Sequence, residues 1–263
     1  MYNVRNTNVK GVRTMKKAFC VMLCMMVVGF AMTGCNESAD VSELNEIKTE
    51  YLAMLQEQAS PESVDEIVEF LDENLNRFDT ESADQMVMAF ADYLFAFEIE
   101  EPRYRELLER YEDYISDALA RLYMIKAEEI EFPAVLDNVL QLTWEQLCER
   151  ALYLELFIRE LDNALVSEVA TRIFEDYIRL MLMGVAGTPI FDSDGVFESD
   201  AQAAYRGFIV AYPDTTVAEI LIEFMSYLVS IDFRLDFENI DEMLSFSDMC
   251  SLLILEAGKR VFQ

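Results

Sequence analysis

Residues 64–78 of the chain read VDEIVEFLDENLNRF, and this stretch decides the fold. Its apolar side chains recur at intervals of three and four residues, at Val64, Ile67, Val68, Leu71, Leu75 and Phe78. That spacing places them along one face of an α-helix. The stretch therefore predicts an amphipathic helix whose apolar face packs against other helices.

The same periodicity extends over much of the chain. One stripe runs over Val41, Leu44, Ile47, Tyr51 and Leu55, and another over Tyr104, Leu107, Leu108, Tyr111, Ile115, Leu119 and Leu122. Glycine and proline are scarce, and we find no run with the alternation of period two that marks a half-buried strand. The pattern predicts an all-α protein of about nine or ten helices.

Several helix starts are marked by capping residues. Ser60 followed by Pro61 is typical of a helix N-terminus. Candidate capping boxes, each with a side chain that can cap and a Glu or Gln three residues later, occur at Asp40/Glu43, Thr143/Gln146, Ser199/Gln202, Thr216/Glu219 and Asn239/Glu242. The longest irregular stretch is 184–199, which we interpret as a hinge, a loop over the core or a domain seam.

An internal repeat organises these helices. The pattern F-x-x-Y-[LI] begins at Phe90, Phe174 and Phe224, each time after a helical run and a short polar break. Each unit therefore predicts a helical hairpin, and a lone hairpin cannot bury its apolar stripe, so neighbouring hairpins are expected to stack. The predicted fold class is all-α, with stacked helical hairpins that form an irregular helical repeat or a bundle.

The third repeat unit, residues 201–228, carries a family resemblance. Its relevant residues are Ala204, Tyr205, Phe208, Tyr212-Pro213-Asp214-Thr215, Ala218 and Phe224. With these it resembles the tetratricopeptide-like hairpins of bacterial envelope proteins. It departs from them at Tyr227, where a small residue is typical, and in lacking the closing proline. The resemblance implies a protein-binding surface.

The N-terminal segment has the features of an export signal. Residues 1–35 contain five cations and no acid, and residues 18–32 are an apolar run, an order typical of a secretory signal. The ending Met32-Thr33-Gly34-Cys35 resembles the bacterial lipobox, although Met32 stands where leucine is usual. The resemblance implies lipid transfer to the Cys35 sulfur and cleavage after Gly34. An ordinary signal peptide or a retained apolar anchor is the alternative.

These features predict three segments. Residues 1–34 are the signal peptide, of which 1–14 are interpreted as an upstream start-site artefact because Met15-Lys16-Lys17 has the form of a start of its own. Residues 35–40 are the lipidated Cys35 and a short tether, and 41–263 are an acidic helical domain. The expected location is the extracytoplasmic face of the cell membrane, or an outer membrane in a double-membrane cell.

The charge balance excludes one class of partner. The chain has 50 Asp and Glu against 20 Lys and Arg, a formal net charge of −30. Loss of residues 1–34 would remove five of the cations and none of the acids, which leaves about −35. Nucleic-acid binding needs a basic surface, so it is not expected.

The candidates for chemistry are few. The chain has no histidine, which removes Ser-His-Asp, Cys-His and His-ligated zinc sites. We expect no cofactor. Asp192 and Asp194 with Gly195 form a fragment of a calcium loop, but Ile190 and Ala201 occupy two of its ligand positions. Cys148 and Cys250 fit either a disulfide or two buried thiols.

Two hypotheses of function follow. The first is a lipid-anchored binding or scaffold module for another envelope protein, in which helical hairpins provide the surface. The alternative is a cation- or small-solute-binding lipoprotein. A further hypothesis is a hydrolase that uses carboxylates alone. Its candidate residues are the acid clusters at Glu98, Glu100 and Glu101 and at Glu128, Glu129 and Glu131.

Overall fold

The computed structural model describes residues 39–57, 60–96 and 103–262, and ten α-helices occupy most of these residues. The all-α prediction is confirmed. The predicted signal peptide, Cys35 and the tether as far as residue 38 lie outside the described residues, as do Glu98, Glu100 and Glu101. Within the described part of the chain, every helix is too short or too polar to cross a membrane.

The chain divides into two compact units, with the division between Met124 and Ile125. The first unit contains α1 (Ala39–Met54), α2 (Pro61–Asn74), a 3-10 turn (Leu75–Arg77), α3 (Thr80–Ala96), α4 (Tyr104–Tyr111) and the first half of α5 (Asp117–Glu131). Its core includes Ile67, Leu71 and Leu75, which are at most 1% exposed. The periodicity of residues 64–78 thus identified the buried face, although the helix tightens into the 3-10 turn after Asn74.

Two buried tyrosines connect helices of the first unit through hydrogen bonds. The hydroxyl of Tyr51 on α1 donates to the Met86 carbonyl at 2.7 Å, and that of Tyr123 on α5 donates to the Val87 carbonyl at 3.1 Å. Both carbonyls belong to α3. The rings stay in the apolar core while each hydroxyl finds a partner, as a buried tyrosine requires.

The second unit holds α6 (Trp144–Arg159), α7 (Ala164–Met183), α8 (Ser199–Ala211), α9 (Thr216–Ser230) and α10 (Ile240–Arg260). Helices α6 and α7 form one hairpin, and α8 and α9 form another. The hairpins pack through contacts of α6 with α8 and α9, and α10 packs on α7 and α9. Phe157, Phe174 and Phe224 are fully buried in this core.

Two short antiparallel hairpins interrupt the helices of the second unit. The first pairs β1 (Val135–Leu136) with β2 (Val139–Leu140), and the second pairs β3 (Gly184–Val185) with β4 (Thr188–Pro189). The Gly187 amide donates to the Asn138 carbonyl at 2.7 Å and links them. Strands of two residues are too short to show alternation, which is why periodicity did not reveal them.

The irregular stretch 184–199 covers the core of the second unit. Ile190, Phe191 and Phe197 are at most 5% exposed. The Leu235 amide donates to the Gly195 carbonyl at 2.9 Å, which holds the stretch against the segment before α10. Of the three interpretations, the loop over the core is the one observed, since the division between the units lies elsewhere.

Some predicted helix starts were wrong by one residue. The predicted helix start at Ser60 and the predicted capping box at Thr143 are confirmed, and each of these residues forms a complete capping box. Asn239 caps α10 through its side chain. Helix α8 is instead preceded by Glu198, with no side-chain cap, and α9 is capped by Thr215. Asp40 lies inside α1 and not before it.

The three F-x-x-Y segments lie on α3, α7 and α9, and α7 and α9 are each the second helix of a hairpin. The phenylalanines are at most 2% exposed. The tyrosines differ: Tyr93 contacts the Ser63 hydroxyl at 3.1 Å, whereas Tyr227 is half-buried with its ring 6.2 Å from that of Phe246. In all three segments the phenylalanine therefore occupies a buried packing position. The contacts of the tyrosine differ from one segment to the next.

Candidate functional site

A fully buried carboxylate organises the second unit. Glu155 on α6 is 0% exposed and accepts hydrogen bonds from the backbone amides of Thr216 at 2.8 Å and Val217 at 3.0 Å. Arg159 lies one turn further along α6 and reaches the same carboxylate at 2.8 Å. The amides at a helix N-terminus lack intrahelical partners, so this side chain stabilises the start of α9.

The first unit also contains a buried carboxylate that accepts hydrogen bonds next to the N-terminus of a helix. Asp84 on α3 is 0% exposed and accepts bonds from the Ser116 amide at 2.8 Å and the Ser116 hydroxyl at 2.6 Å, just before α5. Sequence reasoning missed both carboxylates. A signal was present for Glu155, since it lies four residues after Ala151 and three before Ile158 on an apolar face. An acid at such a position is buried only with partners.

A half-buried polar cluster links α5, α6 and α7. The Tyr177 hydroxyl donates to Glu129 Oε1, and Arg150 Nη1 donates to Glu129 Oε1 at 3.0 Å and to the Tyr177 hydroxyl at 3.1 Å. Burial, followed by the bond to Glu129, raises the pKa of Tyr177 above its usual range. The tyrosine stays protonated at neutral pH, so the cluster acts as a crosslink between helices.

The two cysteines of the second unit are buried free thiols. The Cys148 sulfur lies 3.6 Å from the Met181 sulfur, and the Cys250 sulfur points at the Leu182 carbonyl, 3.9 Å away. Burial raises the pKa of each thiol to about 12. The sequence left a disulfide and two buried thiols as alternatives, and the structure has the two buried thiols. A buried thiol with a raised pKa is a poor nucleophile.

The calcium-loop fragment forms a tight turn. Asp192 Oδ1 accepts hydrogen bonds from the amides of Asp194 and Val196, both at 2.9 Å, and Asp194 is exposed. Within the described residues, no group of three or more Cys, Asp or Glu side chains is arranged to hold a metal ion. The bonds that Asp192 makes close the turn, and calcium binding at Asp192 and Asp194 stays a prediction.

The aromatic and methionine side chains of the helices belong mostly to the core. Phe90, Tyr93, Tyr177 and Met181 are at most 3% exposed. A shallow groove of about 430 Å³ runs along α7 and is lined by Ser167, Thr171, Glu175 and Phe262 among others. Its open shape makes it a weaker candidate than the surface described next.

Exposed apolar side chains collect on the last two helices. We call them the outer face; its members are Ile222 and Val229 on α9 and Leu244, Leu252 and Leu255 on α10. Each is between 44% and 60% exposed. Ile222 and Val229 are two helical turns apart, and Leu244 and Leu255 are three turns apart, so each set lies on one side of its helix. Exposed large apolar side chains on one side of a helix are candidates for an interaction site.

An ion-pair ladder joins the two helices beside the outer face. Arg260 Nη1 lies 2.7 Å from Glu223 and 3.6 Å from Glu219, both on α9. Leu252 lies two turns before Arg260 on the same row of α10, and Ile222 is adjacent to Glu223 in sequence. Consecutive residues lie about 100° apart around a helix, so the exposed apolar stripes of α9 and α10 are two separate stripes on either side of this ladder.

The surroundings of the outer face are acidic. The second unit contains 26 Asp and Glu against nine Lys and Arg. The two cations near the C-terminal end of α10 are both paired, Lys259 with Glu256 at 2.9 Å and Arg260 as described. Asp241 and Asp248, on the N-terminal half of α10, form no ion pair within the described part of the chain. The free charge on this surface is therefore negative.

These observations define a class: an acidic, all-helical protein built of packed hairpins, whose last two helices present an apolar face. No protein-family model matches the chain, and no curated protein or solved structure matches it.

Proposed function

We propose that the protein is a membrane-anchored extracytoplasmic lipoprotein that acts as a binding or scaffold module for another envelope protein. The observation that carries the proposal is the outer face of α9 and α10. Five large apolar side chains are exposed to water there, and a partner that covers them would remove that apolar surface from water. The tetratricopeptide-like pattern of residues 201–228 supports the same reading, because α8 and α9 supply that hairpin.

The anchor rests on the lipobox-like ending at Cys35. A diacylglyceryl cysteine carries two acyl chains, enough for stable membrane attachment, whereas one chain gives only marginal binding. Few residues separate Cys35 from the start of α1 at Ala39. The folded units would then be held close to the membrane surface, where other envelope proteins are concentrated.

A labelling experiment tests the anchor. Cells that produce the chain are fed an alkyne-tagged fatty acid, and the purified protein is examined for label and for its N-terminus. We expect label on the wild type and on Cys148→Ser, and none on Cys35→Ser. Equal labelling of Cys35→Ser, or an N-terminus other than residue 35, would refute the anchor.

A crosslinking experiment tests the binding role. The tagged chain is crosslinked in its native membrane, isolated and read by mass spectrometry. We expect one envelope protein to recur above background in replicate preparations and to be lost when the outer face is altered. Recovery of background proteins alone would contradict the scaffold function.

A further inference from the structure

We propose that the groove along α7 binds a small organic ammonium ion, with the ammonium group at Glu175 and the carbon part of the ligand against Phe262. The scaffold role does not depend on this site. The site gives the small-solute alternative a defined position in the fold and a defined class of ligand.

The groove lies where α10 ends beside α7. The two helices pack antiparallel: a Cβ at Gly258 on α10 would lie 2.1 Å from Glu175 Oε1, and the Cys250 sulfur points at the Leu182 carbonyl. Because α10 ends at Arg260, the first two turns of α7 extend past its end. The groove of about 430 Å³ has the size of a small-molecule site. Its lining residues on α7 recur every three or four positions and so share one side of the helix; they are Ala164, Ser167, Glu168, Thr171, Arg172 and Glu175.

The carboxylate of Glu175 lacks a direct partner. It is partly buried, and among the described residues it makes no hydrogen bond and no ion pair. The two arginines one turn away pair with other acids: Arg172 pairs with Glu168. Arg179 lies 3.6 Å from Asp176. Burial raises the pKa of Glu175, because desolvation disfavours the charged form. An ammonium ion in the groove would supply the missing partner.

Two hydroxyl groups lie on the same row of α7. Ser167 is 8% exposed and Thr171 is 9% exposed. The Thr171 hydroxyl donates to the Ser167 carbonyl at 2.7 Å, so its oxygen is left as an acceptor. Within the part of the chain that the structure describes, the Ser167 hydroxyl has no hydrogen-bond partner, although a polar group so deeply buried normally has one. An ammonium group carries three N–H donors, and this row offers it acceptors.

An aromatic ring lines the groove beside this row. Phe262 follows α10 and is 55% exposed. The face of such a ring attracts a cation and packs against apolar groups. A hydrated inorganic cation has no carbon part to place there, whereas an organic amine has both a charge for Glu175 and an apolar arm for Phe262. The combination therefore selects an organic ammonium ion.

Calorimetric titration with phenethylammonium tests this assignment. The purified full chain is titrated in mild detergent at pH 7 and about 0.15 M salt. The comparison ligands are phenethyl alcohol, which is neutral, and hydrocinnamate, which is anionic. We expect a Kd of about 0.1–1 mM for phenethylammonium, since the groove is open. Each comparison ligand should bind at least about tenfold more weakly. Partition of the ligand into detergent is the same for all variants, so it cancels in their comparison.

The first pair of variants tests the charge. Glu175→Gln removes the carboxylate charge and leaves a side chain of the same shape, so the variant is expected to stay folded. Its control is Asp176→Asn, which removes the same charge from the next residue, where the side chain is 73% exposed. We expect Glu175→Gln to weaken the binding of phenethylammonium about tenfold or more, and Asp176→Asn by less than about twofold.

The second pair tests the aromatic wall. Phe262→Ala should weaken binding about threefold, because it removes the ring beside the ligand. Its control is Phe237→Ala, before α10, where Phe237 is 47% exposed. That variant should leave the Kd unchanged.

Four outcomes would overturn the inference. They are equal affinities of Glu175→Gln and Asp176→Asn, equal affinities of Phe262→Ala and Phe237→Ala, binding of phenethyl alcohol as tight as that of phenethylammonium, and calcium chloride that binds more tightly than the amine and is lost in Glu175→Gln. Failure of the crosslinking experiment would leave this site standing, because the titration uses the purified chain alone.

Discussion

The carboxylate of Glu155 accepts a hydrogen bond from the backbone amide of Thr216 at 2.8 Å, across 61 residues of chain. This bond joins the first hairpin of the second unit to the second hairpin. The acid is fully buried, and Arg159 balances its charge. This side chain therefore links α6 directly to the start of α9.

Removal of this carboxylate is therefore expected to destabilise the protein. Glu155→Ala leaves the amides of Thr216 and Val217 buried without partners and leaves Arg159 without its carboxylate. We expect a loss of about 3 kcal/mol in the free energy of unfolding, measured by urea denaturation. The control is Glu168→Ala, which removes an exposed acid paired with Arg172. It should cost no more than about 1 kcal/mol, and equal losses in the two variants would contradict the role of Glu155.

Two glycines should respond to alanine with opposite signs. Gly195 has φ +77°, and a Cβ there would lie 2.1 Å from the Leu235 carbonyl oxygen, whereas a Cβ at Gly207 on α8 meets no atom within 4 Å. We expect Gly195→Ala to lower the free energy of unfolding by at least about 2 kcal/mol. Gly207→Ala should raise it by about 0.5–1 kcal/mol, because alanine favours the helix. Urea denaturation of both variants checks the signs, and a neutral Gly195→Ala would mean that the turn tolerates a side chain.

Glu175 on α7 should make a pH-dependent contribution. Burial raises the pKa of Glu175 above 4.5, so its folded form holds the proton more tightly than the unfolded form. Its contribution therefore favours the folded state below pH 4.5 and is lost as the pH rises through the raised folded-state pKa.

Glu175→Gln removes this penalty. We expect it to raise the thermal unfolding midpoint at pH 7 relative to Glu168→Gln, an exposed variant with the same change of charge. The corresponding gain in the free energy of unfolding should be below about 1 kcal/mol, because Glu175 is partly exposed. The difference between the variants should vanish at about pH 4, where the native acid is protonated. A difference of the same size at both values of pH would show that its cause is not the titration of Glu175.

The two buried thiols should not react with alkylating reagents in the folded protein. With pKa values of about 12 and no exposed sulfur, Cys148 and Cys250 should resist iodoacetamide at pH 8 and react once urea unfolds the chain. Peptide mapping by mass spectrometry distinguishes them from the other cysteines. A reducing agent should leave the unfolding midpoint unchanged, and a drop in that midpoint would reveal a disulfide.

Several features could be predicted from local sequence alone. The spacing of Ile67, Leu71 and Leu75 identified a buried helical face, and Thr143 with Gln146 identified a capping box. Both depend on residues within one or two turns of each other. The cap of α9 was predicted at Thr216, whereas Thr215 is the cap, and the Thr216 amide donates to the distant Glu155. Local patterns contain no record of such a contact.

The sequence by itself determined that this chain is helical, where some of its helices begin, and that it is strongly acidic, because periodicity, caps and charge are local or additive properties. Only the tertiary structure decided which sides of α10 are buried. That helix has apolar residues around its circumference, including Phe246, Leu252, Leu253, Ile254 and Leu255. Packing on α7 and α9 buries Phe246, Leu253 and Ile254 and leaves Leu252 and Leu255 in water. Burial depends on neighbours far away in the chain, and so the outer face could be recognised only once the helices were in place.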